Sequence, residues 1–137
     1  MVAATTTRPV LYPELSKIIV DAFHDVYGEL RSGLLEANYR NAMAIALRDS
    51  GMKVDVEMPA TVYFRNRPVG QYRLDLVVER TIVLECKAAQ GIRSEHRAQL
   101  LNYLHVTRMR LGYVLNFGPV ATFKRTIYDE RNPLNSL

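Results

Sequence analysis

The sequence predicts a mixed α/β domain, with a central β-sheet flanked by helices. Two stretches of helical periodicity come first, and a run of strand-like segments follows them. One further helix then stands between two apolar strands. A single helix that joins two strands of one sheet implies a right-handed crossover and a parallel pair, so we expect a mixed sheet. The predicted order of elements is ααββββαββ.

The chain begins with two predicted helices. Pro13 suits the first position of a helix, and apolar residues recur every three or four positions over residues 15–30. Residues 31–33, Arg-Ser-Gly, interrupt this pattern. A second helix is expected over residues 34–50, and Gly51 is its C-terminal stop.

Two predicted strands follow the second helix. Residues 53–57 alternate between polar and apolar side chains, and we expect Pro59 to end that strand. Residues 61–65 favour another strand, with a turn at residues 66–68. Gly70 then leads into the central pair of strands.

The central pair of predicted strands, residues 71–87, turns tightly near Glu79 and Arg80. Side chains on a strand alternate between the two faces of a sheet. One face is then apolar and is expected to carry Tyr72, Leu74, Leu76, Val78, Ile82, Leu84 and Cys86. The opposite face is expected to carry Arg73, Asp75, Thr81, Val83, Glu85 and Lys87. Cys86 is interpreted as a small buried hydrophobe rather than a nucleophile.

Asp75, Glu85 and Lys87 are the candidate functional residues of this pair. Two carboxylates and an ammonium group on adjacent strands suit a hard divalent cation and a water molecule. Such charges are also frequent on the solvated face of a hairpin, which is the structural alternative. The strand around Glu85 is too apolar for an edge strand, however, and an unpaired charge in a buried strand is costly. The pattern therefore favours a functional site.

The C-terminal half supplies the last helix and two strands. A third helix is expected over residues 94–106, with Ser94 as its N-cap. Residues 111–117 predict a buried strand, and residues 122–128 predict a final strand. The predicted domain therefore covers residues 12–128. It is preceded by an N-terminal arm, residues 1–11, and followed by a tail, residues 129–137, that we expect to fray.

Length and charge bound the class of protein. A chain of 137 residues corresponds to one domain. The net charge of +4 and the pI of about 9.4 favour a polyanionic partner such as nucleic acid. The alternative, a basic protein without such a partner, is common and stays open.

Cysteine and apolar content exclude further classes. The one cysteine excludes an internal disulfide and a zinc cage built from cysteines, and it indicates the reducing cytoplasm. No apolar run approaches the roughly 18–20 residues that a membrane span requires. The N-terminus has no signal-peptide pattern either, so we expect no membrane association.

Several separated motifs resemble one family. The chain is similar to the GxxExxY proteins, a branch of the PD-(D/E)XK nuclease superfamily, over residues 12–128. The naming motif is Gly33-Leu-Leu-Glu36-Ala-Asn-Tyr39. The further matching segments, in order, are residues 70–75, 85–87, 99–103, 115–118 and 123–125. The proline after which the superfamily is named is replaced by Leu74. This resemblance implies a restriction-endonuclease-like fold.

The resemblance implies a metal-dependent nuclease that hydrolyses phosphodiester bonds in nucleic acid, expected to be DNA. Asp75 and Glu85 would bind Mg²⁺ or Mn²⁺, together with the backbone carbonyl of Cys86. Lys87 would orient and help deprotonate the attacking water, or steady the phosphate. Glu36 would reach the same patch through water or a second ion. The alternative role for Glu36 is a favourable charge at a helix N-terminus.

Residues of the third helix complete the implied site. Gln99 and Tyr103 lie four residues apart, so they share one helix face, and they match the Gln-x-x-x-Tyr element of related exonucleases. The alternative is a half-buried face that packs a tyrosine. Tyr39 is expected to pack rather than to catalyse. The candidate phosphate contacts are Arg73, Arg93, His96, Arg97, Arg108, Arg110, Lys124 and Arg125, although His96 also reads as an ordinary surface histidine.

The main functional alternative is an inactive nucleic-acid-binding or scaffold domain that retains a nuclease fold. We favour the enzyme because the complete set of charged residues is present, and buried charges mark functional sites. The sequence does not distinguish DNA from RNA, single from double strands, or endonuclease from exonuclease activity. A domain of this size has little surface for reading bases, so a protein partner or a homodimer remains an open source of specificity.

Overall fold

The protein is described here by a computed structural model over residues 12–129. A five-stranded mixed sheet lies between helices, which confirms the predicted fold class. The elements in chain order are α1 (Pro13–Leu30), α2 (Glu36–Asp49), β1 (Val54–Phe64), β2 (Arg67–Val78), β3 (Ile82–Lys87), α3 (Ser94–Thr107), β4 (Leu111–Phe117) and β5 (Ala121–Ile127).

The strands follow the order β1-β2-β3-β4-β5 across the sheet, so β3 is central. The β3–β4 pair is parallel and is joined through α3. This confirms the parallel pair that was predicted from the single helix between two strands. The other neighbouring pairs are antiparallel. Apolar residues of α1 and α2 form a core with one sheet face, and those of α3 form a second core with the other face. The site therefore lies in a sheet that is covered on both sides.

The predicted break at Pro59 was wrong. Residues 53–57 and 61–65 are not two strands, because β1 runs without interruption from Val54 to Phe64. β1 is an edge strand, and proline is tolerated there because its missing N–H would face solvent. The order of elements is consequently ααβββαββ, one strand fewer than predicted.

Helix boundaries differ slightly from the sequence expectations. α2 begins at Glu36 rather than Leu34, and the N-cap of α3 is Arg93, with Ser94 as the first helical residue. Tyr39 is fully buried and stacks on Phe117, with ring centroids 4.5 Å apart. Its hydroxyl donates to the carbonyl oxygen of Arg31 and accepts from the N–H of Leu34. The predicted packing role of Tyr39 is therefore confirmed.

In β1 and in β2, the apolar side chains switch from one face of the sheet to the other at positions that lie opposite each other. Val54 and Val56 of β1 and Leu76 of β2 pack under α1 and α2, whereas Met58 and Leu74 pack under α3. Regular alternation would keep these residues on one face. The change occurs at Glu57 and Asp75, which are opposite in register but unpaired, and Glu57 has a φ of 52°. The prediction that Tyr72, Leu74, Leu76 and Val78 share one face was therefore wrong.

None of the helices within residues 12–129 is long and apolar enough to cross a membrane. The predicted N-terminal arm, residues 1–11, and all but the first residue of the predicted tail lie outside the described residues.

Candidate active site

The candidate site begins where β2 and β3 separate. These strands pair only from Leu76 to Val78. Asp75 and Glu85 therefore lie just beyond the last pair of residues, Leu76 and Leu84. The N–H of Asp75 donates to Oε2 of Glu85 at 3.0 Å. The N–H of Cys86 donates to Oδ2 of Asp75 at 2.9 Å. Each carboxylate thus accepts a backbone N–H from the neighbouring strand, which holds both acids in the gap.

The charged groups approach this gap from opposite faces of the sheet. Asp75 lines a cavity of about 250 Å³ with Glu36, Ala37 and Arg40 of α2. Lys87 extends to the other face, where its Nζ donates to Oε1 of Gln99 on α3 at 3.1 Å. The expected convergence of Asp75, Glu85 and Lys87 on a single face therefore needs correction. The residues come together through the opening between the strands.

Burial raises the pKa values of both acids. Glu85 is only 3% exposed, and burial together with the nearby Asp75 carboxylate raises its pKa to about 8. The pKa of Asp75 is also raised, again chiefly by burial. The backbone hydrogen bonds and the Lys87 ammonium oppose these shifts without cancelling them. A buried pair of acids with raised pKa values favours a bound cation or proton.

A hydrogen-bonded row on α3 faces the acids. Gln99 contacts Lys87 and also bonds with the Tyr103 hydroxyl. Burial, and then the charges of Glu85 and Asp75, raises the pKa of Tyr103 to about 12, so the phenol stays protonated at neutral pH. Tyr103 also packs against Tyr72 of β2, with ring centroids 5.3 Å apart. Tyr103 therefore has the predicted packing contact, and the functional role of Gln99 and Tyr103 stays a prediction.

The donor set suits a hard divalent ion. Within residues 12–129, Oδ1 of Asp75 and Oε1 of Glu85 have no hydrogen-bond donor, so one oxygen of each acid is available. Carboxylate and backbone oxygens are the ligands that Mg²⁺ prefers. Glu36 is exposed in the first turn of α2, and its charge contributes to raising the pKa values of both acids. No three acidic, histidine or cysteine side chains of the described residues form a ready metal cage.

The predicted phosphate contacts do not form one surface. Arg73 pairs with Glu57 at 3.7 Å, and Arg93 pairs with Glu95 at 3.6 Å. His96 accepts the N–H of Arg93 through Nδ1, which caps the start of α3. Lys124 and Arg125 lie on opposite faces of β5, because they are opposite Val114 and Tyr113, which belong to different cores. These two residues therefore cannot serve the same patch.

Arg40 is a site residue that the sequence interpretation missed. It lines the cavity with Asp75, and its charge lowers the pKa of that acid. Its Nη1 also pairs with Glu57 at 2.9 Å, and its side chain is only 20% exposed. The sequence could have indicated Arg40, because it lies four residues after Glu36 and residues four apart share a helix face.

Asn116 positions the chain that leaves the site. It is fully buried at the end of β4, next to Lys87 in register. Its Oδ1 accepts the N–H of Ala89 at 2.9 Å, and its Nδ2 donates to the carbonyl oxygen of Ala89 at 3.0 Å. The segment 115–118 contributed to the family resemblance, but its spacing alone did not reveal this contact with the connection after Lys87.

Gly118 offers a test of this close packing. A Cβ atom at residue 118 would overlap the carbonyl oxygen of Ala89, whereas a Cβ atom at Gly28 of α1 would meet nothing within 4 Å. We expect Gly118→Ala to lower the free energy of unfolding by about 1–3 kcal/mol, since backbone must move. Gly28→Ala is the matched control, and it should be neutral or stabilising by up to about 1 kcal/mol. Equal urea midpoints for the two variants would contradict the close approach.

Comparison with known proteins agrees with this architecture. A family model described as the PD-(D/E)XK nuclease superfamily matches residues 13–127. No curated protein matches the chain. Among solved structures, the fold is similar to that in the crystal structure of SSO0001, with a TM-score of 0.54 and 17% sequence identity. The match covers 90% of this chain but 62% of that chain, less than two thirds of its length. At this identity the likeness shows the fold alone.

Proposed function

Since this chain belongs to the PD-(D/E)XK nuclease superfamily, we propose that it is a Mg²⁺- or Mn²⁺-dependent nuclease that hydrolyses phosphodiester bonds, with DNA as the expected substrate. Within the superfamily we assign it to the GxxExxY branch, on the motif that ends at Tyr39. The single cysteine suits a reducing compartment, so we expect the enzyme to act in the cytoplasm. A protein partner or a homodimer is the expected source of any sequence preference.

One observation carries this proposal. Asp75 and Glu85 hold their carboxylates together in a buried gap although both pKa values are raised. Structural stability alone gives no reason to keep two repelling acids there, because burial of charge is costly. A bound divalent cation would relieve that repulsion. The arrangement is therefore better suited to binding a cation than to packing.

Each residue of the candidate site has its own expected role. Asp75, Glu85 and the carbonyl oxygen of Cys86 would hold the ion, with Glu36 as a further ligand through water. The ion would lower the pKa of a bound water and neutralise charge on the phosphate. Lys87, held by Gln99, would orient the attacking water or stabilise the negative charge that develops at phosphorus. Its ammonium is available for this, since no carboxylate of residues 12–129 pairs with it.

Cleavage assays test the proposal directly. The purified chain is incubated with labelled single- and double-stranded DNA and RNA, in Mg²⁺, in Mn²⁺ or in chelator. Cleavage is expected only with a divalent ion, and Asp75→Ala should abolish it, because that variant loses an expected ligand. Asp25→Ala, which removes an exposed acid of α1, is the matched control and should retain activity.

The alternative function predicts a different result. If the wild type binds nucleic acid but cleaves none of these substrates with either ion, the chain is an inactive binding domain. Cleavage that persists in Asp75→Ala at the wild-type rate would also contradict the assigned site.

A further inference from the structure

The outer part of the sheet projects beyond its third strand. β2 pairs with β3 only from Leu76 to Val78, but it pairs with β1 along most of its length. Residues 58–74 therefore form a two-stranded ribbon, closed by a two-residue turn at Arg65 and Asn66. Each arm of this ribbon has about seven residues and spans roughly 20 Å. Met58, Ala60 and Leu74 at the base of the ribbon pack with α3, whereas residues 63–73 at its far end are exposed.

The ribbon exposes large apolar side chains. Tyr63, Phe64 and Val69 are 65%, 59% and 62% exposed. Single exposed apolar residues are ordinary, but a group of them on one projecting element marks an interaction surface. Two of the three are aromatic. Tyr63 and Phe64 are consecutive residues of β1, so their rings lie on opposite faces of the ribbon, next to its turn.

The charge of the ribbon identifies the kind of partner. Residues 58–74 contain three arginines and no acidic residue. The guanidinium of Arg65 lies over the Phe64 ring, 4.8 Å from its centroid. Arg73 pairs with Glu57, but no carboxylate of residues 12–129 forms an ion pair with Arg65 or Arg67. Aromatic faces beside unneutralised arginines complement a partner that carries both flat rings and negative charge.

We propose that the end of the ribbon binds an unpaired segment of nucleic acid that passes around it, with one base stacked on Phe64, another on Tyr63 of the opposite face, and phosphates against Arg65 and Arg67. Stacking on aromatic side chains needs exposed base faces, which a single strand offers and an intact duplex hides. This inference deepens the proposed function and rests on it, because the bound strand is taken to be the nuclease substrate.

A series of side-chain contacts links the ribbon to the candidate site. Tyr72 lies on the ribbon, is 38% exposed and contacts Tyr103. Tyr103 bonds with Gln99, and Gln99 holds Lys87. A strand seated on the ribbon would therefore pass a third aromatic ring before it reaches the ammonium of Lys87. The ribbon would thus deliver the strand to the α3 side of the gap.

The experiment measures binding without cleavage. Fluorescence anisotropy in chelator compares a labelled single-stranded oligonucleotide with the matching duplex. Tyr63→Ser/Phe64→Ser should weaken single-strand binding by roughly tenfold or more, since each stacked base contributes substantially. Arg65→Gln/Arg67→Gln should weaken it too, and should reduce the slope of log affinity against log salt by about 1.4 for two lost phosphate contacts on a single strand.

Matched controls separate these effects from general damage. Ile45→Ser removes an exposed apolar side chain of α2, and Arg31→Gln removes an exposed arginine after α1. Both should bind as the wild type does. Thermal melts check that all variants fold, which is expected because the substituted side chains are exposed.

Three results would overturn the inference. The first is wild-type affinity in both ribbon double variants, and the second is equal loss of single-strand and duplex binding. The third is a wild-type dimer in sedimentation that the ribbon variants dissociate, because the patch would then join two copies. Failure of the nuclease proposal looks different: the ribbon variants weaken binding as expected, yet the wild type cleaves nothing in any ion.

Discussion

Replacing Lys87 with Ala is expected to slow phosphodiester cleavage by roughly 10²- to 10⁴-fold, the range of a lost proton-transfer or charge-stabilising group. The ammonium is held at 3.1 Å by Gln99, on the face of the sheet opposite the cavity that Asp75 lines. It is a cation and cannot be a metal ligand. Its removal should therefore affect turnover far more than it affects the affinity for Mg²⁺.

Two measurements check this expectation. Single-turnover cleavage gives the rate, and titration calorimetry gives the Mg²⁺ affinity of the same preparation. Lys53→Ala is the matched control, because Lys53 is an exposed lysine just before β1, and its replacement should leave both quantities unchanged. An equal loss of rate and Mg²⁺ affinity in Lys87→Ala would assign Lys87 a structural role instead.

Replacing Glu85 with Gln is expected to stabilise the metal-free protein, relative to the wild type, increasingly as pH rises above about 4.5. The pKa of this carboxyl is raised from 4.5 to about 8 in the folded state. Below about pH 4.5 both states are protonated, so the group has no effect. Between the two values only the unfolded chain releases the proton, and each pH unit then favours unfolding by about 1.4 kcal/mol. Stability should therefore fall as pH rises, and level off above about pH 8.

The expected loss across this window is on the order of 3–5 kcal/mol for the wild type, and the Gln variant should lack most of it. Gln retains an oxygen that can accept the N–H of Asp75, so the local hydrogen bond survives. Urea unfolding in chelator at several pH values measures the difference. Glu29→Gln, an exposed position on α1, is the control and should follow the wild-type profile.

One result of the urea unfolding experiment would contradict this prediction. If Glu85→Gln and the wild type lose stability in parallel between pH 5 and 8, ionisation of Glu85 is not costly in the folded state. The folded protein would then hold both charges without a cation, and the proposed metal site would be wrong.

Local sequence patterns were sufficient to predict most of the helices, strands and turns. The helical spacing of apolar residues predicted α1 over its observed range, and the α2 and α3 boundaries were predicted to within about two residues. The tight turn at Glu79 and Arg80 was also predicted, and both residues have positive φ values there. These features depend on residues that are neighbours in the chain, so their signals are present in short windows.

The number of strands could not be obtained in the same way. Pro59 disrupts a strand that must donate hydrogen bonds on both sides, but not one at the edge of a sheet. Whether β1 is an edge strand depends on which strands pair with it, and that is decided by the whole sheet. A local pattern therefore had no means of showing that β1 continues through Pro59.

The sequence by itself determined that Asp75, Glu85 and Lys87 lie close together, because a short turn of three residues, 79–81, joins the strands that carry them. Only the tertiary structure decided how they approach one another. The strands β1 and β2 change face at Asp75, so this acid turns towards α2 while Lys87 turns towards α3. That change requires two strands to distort together and two helices to pack on opposite faces. The same long-range packing brings Arg40 to the site, and no alternation within a single strand encodes it.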